Sequence, residues 1–146
     1  MKPFFVLSRR FLIVVFLTLT LFILVFCQFT GSAINETNGD THKKRIDYIN
    51  SLGYQVDENT TTNREIVIPL NFSSVYYNYN LLQQKAGFDL SYFKGKTVKK
   101  YSYKVLNYKK ENYYLNLLVL DGVIIGGDVS SANISGEMLP LLSNKQ

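Results

Sequence analysis

Two carboxylates and a pair of glycines form the most unusual chemistry-bearing pattern in the chain. Gly126, Gly127 and Asp128 interrupt an otherwise β-branched run, and paired glycines within a strand cost stability unless another group must approach the backbone there. One interpretation is a small ligand groove formed by Asp128, Gly127 and Gly126 with Asn116 and Asp89. The other is structural: an element packs tightly on the glycines, and Asp128 caps backbone N–H groups.

A pair of carboxylates is also the minimal device for general acid and base catalysis. Asp89 and Asp128 would form such a pair if the fold brought them together. Asp89 directly follows Gly87 and Phe88, a position where an aspartate commonly caps a turn. The residues alone leave both roles open.

Lysines and aromatic residues alternate between Lys94 and Lys110, and no acidic residue occurs from Leu90 to Lys110. This composition suits anionic partners such as lipid head groups or phosphate-rich wall polymers. The candidate lysines are Lys96, Lys99, Lys100 and Lys104. The alternative is a solvated strand face whose lysines protect a sheet edge from aggregation.

Several kinds of site are excluded by composition. Cys27 is the only cysteine, His42 is the only histidine, and the chain has no tryptophan. A disulfide within the chain and a Cys/His zinc site are therefore excluded, as is any Cys-His or Ser-His catalytic pair not built on His42. The acidic residues show no recognised metal-ligand spacing, so we expect neither a metal nor a cofactor.

The N-terminal residues 1–29 have the features of a membrane anchor or signal segment. Basic residues precede an apolar run over residues 11–27, which as a helix would be about 25 Å long. These basic residues are Lys2, Arg9 and Arg10. Because no Lys or Arg follows until Lys43, the positive-inside rule predicts a cytoplasmic N-terminus and an exported remainder. The segment is either retained as a single-pass anchor or cleaved near Ala33.

The charge balance outside that segment gives no reason to expect a nucleic-acid partner. The chain carries sixteen basic and eleven acidic residues, a formal net charge of +5. The N-terminal segment supplies three of the positive charges, which leaves thirteen basic residues against eleven acidic ones. We expect the partners to be the membrane, through residues 11–27, and an envelope protein, glycan or anionic polymer.

A polar linker over residues 30–40 leads to one small domain over residues 41–146. Its first helix is predicted to begin after Asp40 or Thr41 and to end at Gly53. A second helix is expected between a cap at Asn71 or Ser73 and Gly87. Its apolar side would carry Phe72, Val75, Tyr79, Leu82 and Ala86, and its polar side Tyr77, Asn78, Asn80 and Gln84.

The remaining elements follow a period of two, which is typical of strands. Residues 66–68 predict a short strand after a polar loop at 59–63, and strands alternate from residue 96 onward. Asp121-Gly122 is a strong hairpin signal. The predicted pairs are Leu120 with Val123, Leu118 with Ile125 and Asn116 with Gly127. The tail after the last strand is expected to be an irregular loop with one helical turn.

These elements predict an α+β domain. Two short helices pack on a small antiparallel sheet, a β-meander plus one added strand, preceded by one transmembrane or signal helix. One helix-covered face would suffice for a core of about 110 residues.

Two sequence blocks are specific enough to suggest a family. They are Gly87-Phe88-Asp89-Leu90 and Ile125-Gly126-Gly127-Asp128-Val129, with Ile68-Pro69 and Tyr79-Asn80 upstream. Residues 42–140, which contain these blocks, resemble a domain-of-unknown-function family from anaerobic Gram-positive bacteria. Its members carry one N-terminal membrane or signal segment before this small domain. The resemblance implies an exported location and this fold, and it brings no known activity.

Together these patterns favour a non-catalytic binding or interaction module, anchored in the membrane and displayed outside the cytoplasm at the bacterial cell envelope. One alternative is a carboxylate-dependent cell-wall hydrolase that uses Asp89 and Asp128. Another is a lysine-rich docking surface for anionic envelope polymers or lipid head groups. A deep pocket joining the two carboxylates would favour the hydrolase, and carboxylates hydrogen-bonded to the backbone would favour the binding module.

Overall fold

The computed structural model describes residues 11, 15–18, 20, 37–108, 112–133 and 136–144. The chain divides into two compact units, Met1–Asn35 and Glu36–Gln146. In the first unit the described residues are helical. No helix among the residues described here is long and apolar enough to cross a membrane. Most of the predicted membrane segment, and the predicted cleavage position near Ala33, lie outside the described residues.

The second unit begins with helix α1, which spans His42–Ser51. The Thr41 side chain caps it by accepting a hydrogen bond from the Lys44 amide at 3.3 Å. Gly53 follows the helix with φ of 84°, a left-handed conformation that glycine adopts at little cost. The capping residues therefore set both ends of α1 as predicted.

A five-stranded antiparallel sheet forms the centre of the domain, with strand order β1-β2-β3-β4-β5. The strands are β1 (Val56–Val67), β2 (Thr97–Val105), β3 (Tyr113–Leu120), β4 (Val123–Ser131) and β5 (Met138–Pro140). Helix α2 (Ser74–Lys85) and a 3₁₀ helix (Leu90–Phe93) connect β1 to β2. The domain is therefore α+β, with an open sheet and few short helices.

The first and last strands of the sheet, β1 and β5, differ from the sequence prediction. Strand β1 has 12 residues and includes residues 59–63, which were predicted as a loop; its pairing is irregular between Asp57 and Thr62. The tail forms β5, which pairs Pro140 with Asp128, instead of an irregular loop with a helical turn. At Thr62, Asn63 and the tail, pairing with a neighbouring strand overrides a composition that favours loops, whereas residues 58–61 lie in the irregular part of β1 and do not pair in register with β2.

The sheet is covered on both faces, whereas one covered face was expected. Leu117 belongs to a cluster that contains Ile46 and Ile49 of α1. Leu118 belongs to a second cluster, against which α2 and the 3₁₀ helix pack. Because successive residues of a strand point to opposite faces, the helical elements cover opposite sides of the sheet. This arrangement explains why β3 is apolar along nearly its whole length.

A bulge in the β3–β4 hairpin sets the register of the candidate site. Asp121 and Gly122 have φ of 49° and 83°, and Leu120 pairs with Val123 as predicted. The register then shifts between Leu118 and Val119. The structure pairs Val119 with Ile124, Leu118 with Gly126 and Asn116 with Asp128. The predicted pairs Leu118–Ile125 and Asn116–Gly127 are therefore wrong by one residue, because Ile125 is the extra residue of the bulge.

Candidate functional site

Helix α2 buries polar side chains where the hydrophobic pattern predicted apolar ones. Val75 is 77% exposed, while Asn80 is 5% exposed and Gln83 is fully buried. The sequence pattern predicts Val75 on the apolar side and Asn80 on the polar side, so the predicted face is wrong for these two residues. The polar residues can be buried because each has a hydrogen-bonding partner in the fold below the helix.

Asp128 is fully buried and accepts two hydrogen bonds from side chains. The Tyr79 hydroxyl donates to Oδ2 at 3.0 Å, and Asn116 Nδ2 donates to Oδ1 at 2.7 Å. Asn116 also donates to Ser130 Oγ at 2.9 Å and accepts from Ser102 Oγ at 2.6 Å. Asp128 is therefore the centre of a side-chain network that links three strands to α2.

The two glycines allow other groups to approach the sheet closely. A Cβ on Gly126 would lie 2.9 Å from Gln83 Oε1 and 3.1 Å from Leu90 Cδ2. A Cβ on Gly127 would lie 2.6 Å from Leu141 Cδ2 and 2.7 Å from the Asn116 carbonyl oxygen. The structure thus agrees with the interpretation in which packing requires the glycines. The prediction that Asp128 caps backbone N–H groups is wrong, because the hydrogen bonds that its oxygens accept among the described residues come from the side chains of Tyr79 and Asn116.

Gln83 also satisfies a backbone group of β4. Its Oε1 accepts a hydrogen bond from the Gly127 amide at 2.8 Å, one residue beyond the pair formed by Asp128 and Pro140. The Gln83 side chain therefore supplies the acceptor for a β4 amide just past the point where the pairing of β4 with β5 ends. Its Nε2 is buried without a hydrogen-bond partner in the described part of the chain.

Asp89 caps the 3₁₀ helix, which is the turn-capping role considered from the sequence. Its Oδ1 accepts from the Ser91 amide and from Asn80 Nδ2, each at 2.9 Å, and Oδ2 accepts from Gln84 Nε2 at 2.9 Å. Asn80 Oδ1 in turn accepts from the Leu90 amide at 2.7 Å. The hydrogen bonds from Ser91, followed by those from Asn80 and Gln84, hold the pKa of Asp89 well below its ordinary value.

Asp89 and Asp128 belong to different hydrogen-bond sets, and no hydrogen bond among the described residues joins them. Asp89 is held at the turn after α2, and Asp128 lies beneath Tyr79 on β4. An acid and a base must both reach the same substrate bond. These two carboxylates instead accept hydrogen bonds from their own fold, and no group of three or more His, Cys, Asp or Glu side chains in the described ranges could hold a metal ion.

The groups next to Asp128 are also poorly suited to proton transfer. Burial, followed by the charge of Asp128, raises the pKa of Tyr79 far above that of a free tyrosine. Burial lowers the pKa of Lys100, which the nearby Asp128 partly opposes. Tyr79 therefore stays protonated and donates its hydrogen bond throughout the physiological pH range.

The four candidate lysines do not share one surface. Lys99 is exposed and pairs with Glu65 across the sheet, whereas Lys100 and Lys104 are half-buried on the opposite face of β2. Lys96 lies in the loop before β2. Strand β2 is an interior strand, so these lysines do not protect a sheet edge, as one sequence interpretation suggested.

The sequence reasoning missed an open cavity of about 270 Å³ at one end of the sheet. Its polar lining includes Lys99, Glu65, Asp121, Asp40 and Tyr101. Hydrogen bonding to Lys44 lowers the pKa of Asp40. The Asp121-Gly122 turn was the only part of this cavity that the sequence indicated. Glu65 reaches the cavity because β1 pairs with β2, and the sequence pattern did not predict that pairing.

Buried Arg45 organises the floor beside this cavity. Its guanidinium carbon lies 3.7 Å from the centre of the Tyr101 ring, and Nε donates to the Tyr103 hydroxyl at 2.9 Å. Nη1 donates to the carbonyls of Gly39 at 2.8 Å and Asp40 at 3.2 Å. Arg45 thus fixes both an aromatic wall of the cavity and the segment that leads into α1.

Comparisons with protein-family models, curated proteins and solved structures find no match to this chain. The resemblance to a domain-of-unknown-function family therefore stays a prediction.

The hydrogen bonds to Asp89 predict a specific acid sensitivity. A carboxyl whose pKa is lower in the folded than in the unfolded chain stabilises the fold above the unfolded pKa, near 3.9. That contribution is lost as the pH falls toward the folded value. We expect the free energy of unfolding of the wild type to fall more steeply below about pH 4 than that of Asp89→Asn. Urea unfolding across an acid pH series measures both slopes.

Gln84→Ala provides a graded control, because it removes one of the three side-chain and backbone donors to Asp89. Its slope should lie between those of the wild type and Asp89→Asn. If the free energy of unfolding falls equally steeply with pH in the wild type and in Asp89→Asn, the result would contradict the lowered pKa of Asp89.

Proposed function

We propose that the chain displays a non-catalytic binding module at the bacterial cell envelope, outside the cytoplasmic membrane. The observation that carries the proposal is the state of the two candidate catalytic carboxylates. Asp128 is fully buried beneath Tyr79 and Asn116, and Asp89 caps a turn. Neither is placed as a substrate-facing acid or base. The proposed location is supported by the basic N-terminal residues and the apolar run over residues 11–27.

The best-supported ligand-binding surface is the open cavity beside Tyr101, and not the predicted groove at Asn116, Gly127 and Asp128. The cavity combines an aromatic wall with Lys99, Glu65 and Asp121 at an open surface. Side chains that donate and accept hydrogen bonds beside an aromatic ring suit a polar glycan, whose hydroxyl groups need both kinds of partner. We therefore propose wall glycan as the ligand class.

Binding to purified Gram-positive cell walls tests this proposal. We expect the protein to sediment with the walls without releasing soluble sugar products. Glu65→Ala and Lys99→Ala should each weaken binding by roughly tenfold, since each removes a charged hydrogen-bonding group. Lys104→Ala is the matched control, because Lys104 lies on the opposite face of the sheet and should leave binding unchanged.

The same assay separates the binding module from the hydrolase. Release of soluble sugars that disappears in Asp128→Asn would establish the enzyme and contradict the proposal. Protease treatment of intact cells tests location independently: loss of the domain is expected, and full protection in the cytoplasm would refute export.

A further inference from the structure

Two cations lie directly opposite each other across strands β1 and β2. Arg64 pairs with Lys100, so their side chains leave the sheet on the same face, and Lys100 pairs on its other side with Leu118 of the second hydrophobic cluster. Like charges at directly opposed positions of an antiparallel pair cost stability. The pair therefore needs a reason other than the stability of the sheet.

The other lysines of β2 that pair with β1 are opposite acidic residues. Lys99 pairs with Glu65, and Lys104 pairs with Asp57. These two pairs follow the rule that opposite charges face each other across strands. Lys100 is thus the β2 lysine whose neighbour on β1 adds positive charge instead of balancing it.

The positive charge of Arg64 and Lys100 is not balanced nearby. Neither forms an ion pair with any residue that the structure describes. Helix α2 and the 3₁₀ helix, which pack on this face, contain no acidic residue. Asp128 attracts Lys100, but its oxygens accept hydrogen bonds from Tyr79 and Asn116. One buried carboxylate against two cations leaves an excess of one positive charge.

The two cations are close enough to repel each other and open enough to receive a ligand. Burial lowers the pKa of Lys100; Asp128 opposes that shift, and the charge of Arg64 adds to it. Lys100 is half-buried, whereas Arg64 is exposed on β1, the outer strand of the sheet. An anion between them would relieve the repulsion, and partial burial would strengthen its attraction to Lys100.

A hydroxyl group lies beside this pair on the same face. Thr62 is exposed two positions from Arg64 along β1, where it pairs with Ser102. Its hydroxyl forms no hydrogen bond with a residue in the described part of the chain. A guanidinium, an ammonium and a hydroxyl group at one surface are the donors that suit the oxygen atoms of a phosphate group.

We propose that Arg64, Lys100 and Thr62 bind the phosphodiester groups of an anionic wall polymer. A phosphodiester carries a single negative charge, which matches the excess of one positive charge. Because β1 is the outer strand, a long polymer can pass along the edge of the sheet. This inference rests on the envelope location given under the proposed function. It adds a second binding surface, on the face of the sheet opposite to Glu65 and Lys99.

Binding of soluble poly(glycerol phosphate) to the full chain, held in a nonionic detergent, tests the proposal. We expect Arg64→Gln and Lys100→Gln each to weaken binding by roughly tenfold, since each removes a charged donor to phosphate. The slope of binding against salt concentration should also become shallower. Lys99→Gln and Lys104→Gln are the matched controls. They make the same charge change on the same strand and should leave binding nearly unchanged.

Two further measurements separate contact with the polymer from an effect on folding. Arg64→Gln removes a like-charge pair and no ion pair, so urea should unfold it no more easily than the wild type. In ¹H–¹⁵N spectra, the polymer should shift the Nε–H resonance of Arg64. The Nε–H resonance of Arg45 is the internal control, because that group donates to Tyr103 in the interior and should not move.

The remaining outcomes would each overturn the inference. Equal binding by the wild type and the Arg64→Gln, Lys100→Gln double variant would exclude the site. Equally strong binding of polyglutamate would show that charge alone is recognised. If phosphatidylglycerol in the micelles shifts the Arg64 resonance as the polymer does, a lipid head group is the occupant. Because the polymer has no sugar ring, wall binding that depends on Glu65 without polymer binding would refute this inference alone.

Discussion

Asp128→Ala is expected to lower the free energy of unfolding by about 3 kcal/mol. The substitution removes both acceptor oxygens from a fully buried site, so the Tyr79 hydroxyl and one hydrogen of Asn116 Nδ2 lose their partner. Asn116 is itself only 2% exposed, so water does not readily replace the lost acceptor. Urea unfolding of residues 36–146, which contain both hydrophobic clusters, measures the change.

Two further variants distinguish the effect of losing the Asp128 carboxyl group from the effect of losing another acceptor beside it. Ser130→Ala removes another acceptor for Asn116 Nδ2 but leaves Asp128 in place, and its cost should stay near 1 kcal/mol. Asp128→Asn keeps one acceptor oxygen and the side-chain volume, so its cost should fall between the two. If Asp128→Ala lowers the free energy of unfolding no more than Ser130→Ala does, the result would contradict the structural role of Asp128 and favour a ligand-binding role for it.

Gly127→Ala should destabilise the domain by about 3 kcal/mol, the upper end of the usual cost of overpacking. Its new methyl group would lie 2.7 Å from the Asn116 carbonyl oxygen, a backbone atom held by strand pairing, and 2.6 Å from Leu141 Cδ2. Relief would require β3 and β4 to separate at the register position next to Asp128. Thermal or urea unfolding of the variant measures the loss.

The neighbouring glycine provides the matched comparison. At Gly126 the nearest groups are the end of the Gln83 side chain and Leu90 Cδ2, which can move more easily than backbone. We expect Gly126→Ala to cost about 1 kcal/mol. Combining it with Gln83→Ala should cost less than the sum of the two single changes, because the second change removes the clash. A larger loss for Gly126→Ala than for Gly127→Ala would contradict this packing.

The chemistry at the centre of the domain argues against the hydrolase interpretation on physical grounds. A catalytic carboxylate needs access to substrate and a proton-transfer partner of suitable pKa. Asp128 is enclosed by Tyr79 and Asn116, and burial beside Asp128 moves the pKa of Tyr79 away from neutrality. The candidate groove is thus a structural network, and the open cavity lies elsewhere, at the end of the sheet beside Tyr101.

Local sequence features predicted the elements whose ends depend on a single residue's conformation. Thr41 and Gly53 delimit α1, Ser73 caps α2, and the Asp121-Gly122 turn pairs Leu120 with Val123. Caps and tight turns are determined by side-chain hydrogen bonds and by φ preferences within a few residues. The α+β class followed from the change between helical and strand periods along the chain.

Features that depend on contacts distant in sequence could not be read in the same way. Periodicity placed Val75 in the core and Asn80 in solvent, because it carries no information on which polar groups have buried partners. The β1 pairing that brings Glu65 to Lys99 was hidden by a polar composition. The bulge at Ile125, which brings Asn116 opposite Asp128, depends on how both faces of the hairpin are packed.

The sequence by itself determined the element types, the caps and the hairpin turn, because these depend on neighbouring residues. It also indicated that the two glycines and Asp128 form an exceptional position, since their composition conflicts with an ordinary strand. Only the tertiary structure decided what that position does: Gln83, Tyr79 and Leu141 arrive from distant segments and occupy the space that a ligand would need. Burial and hydrogen-bond pairing depend on the whole fold, and so the role of Asp128 could not be inferred from its neighbours in the chain.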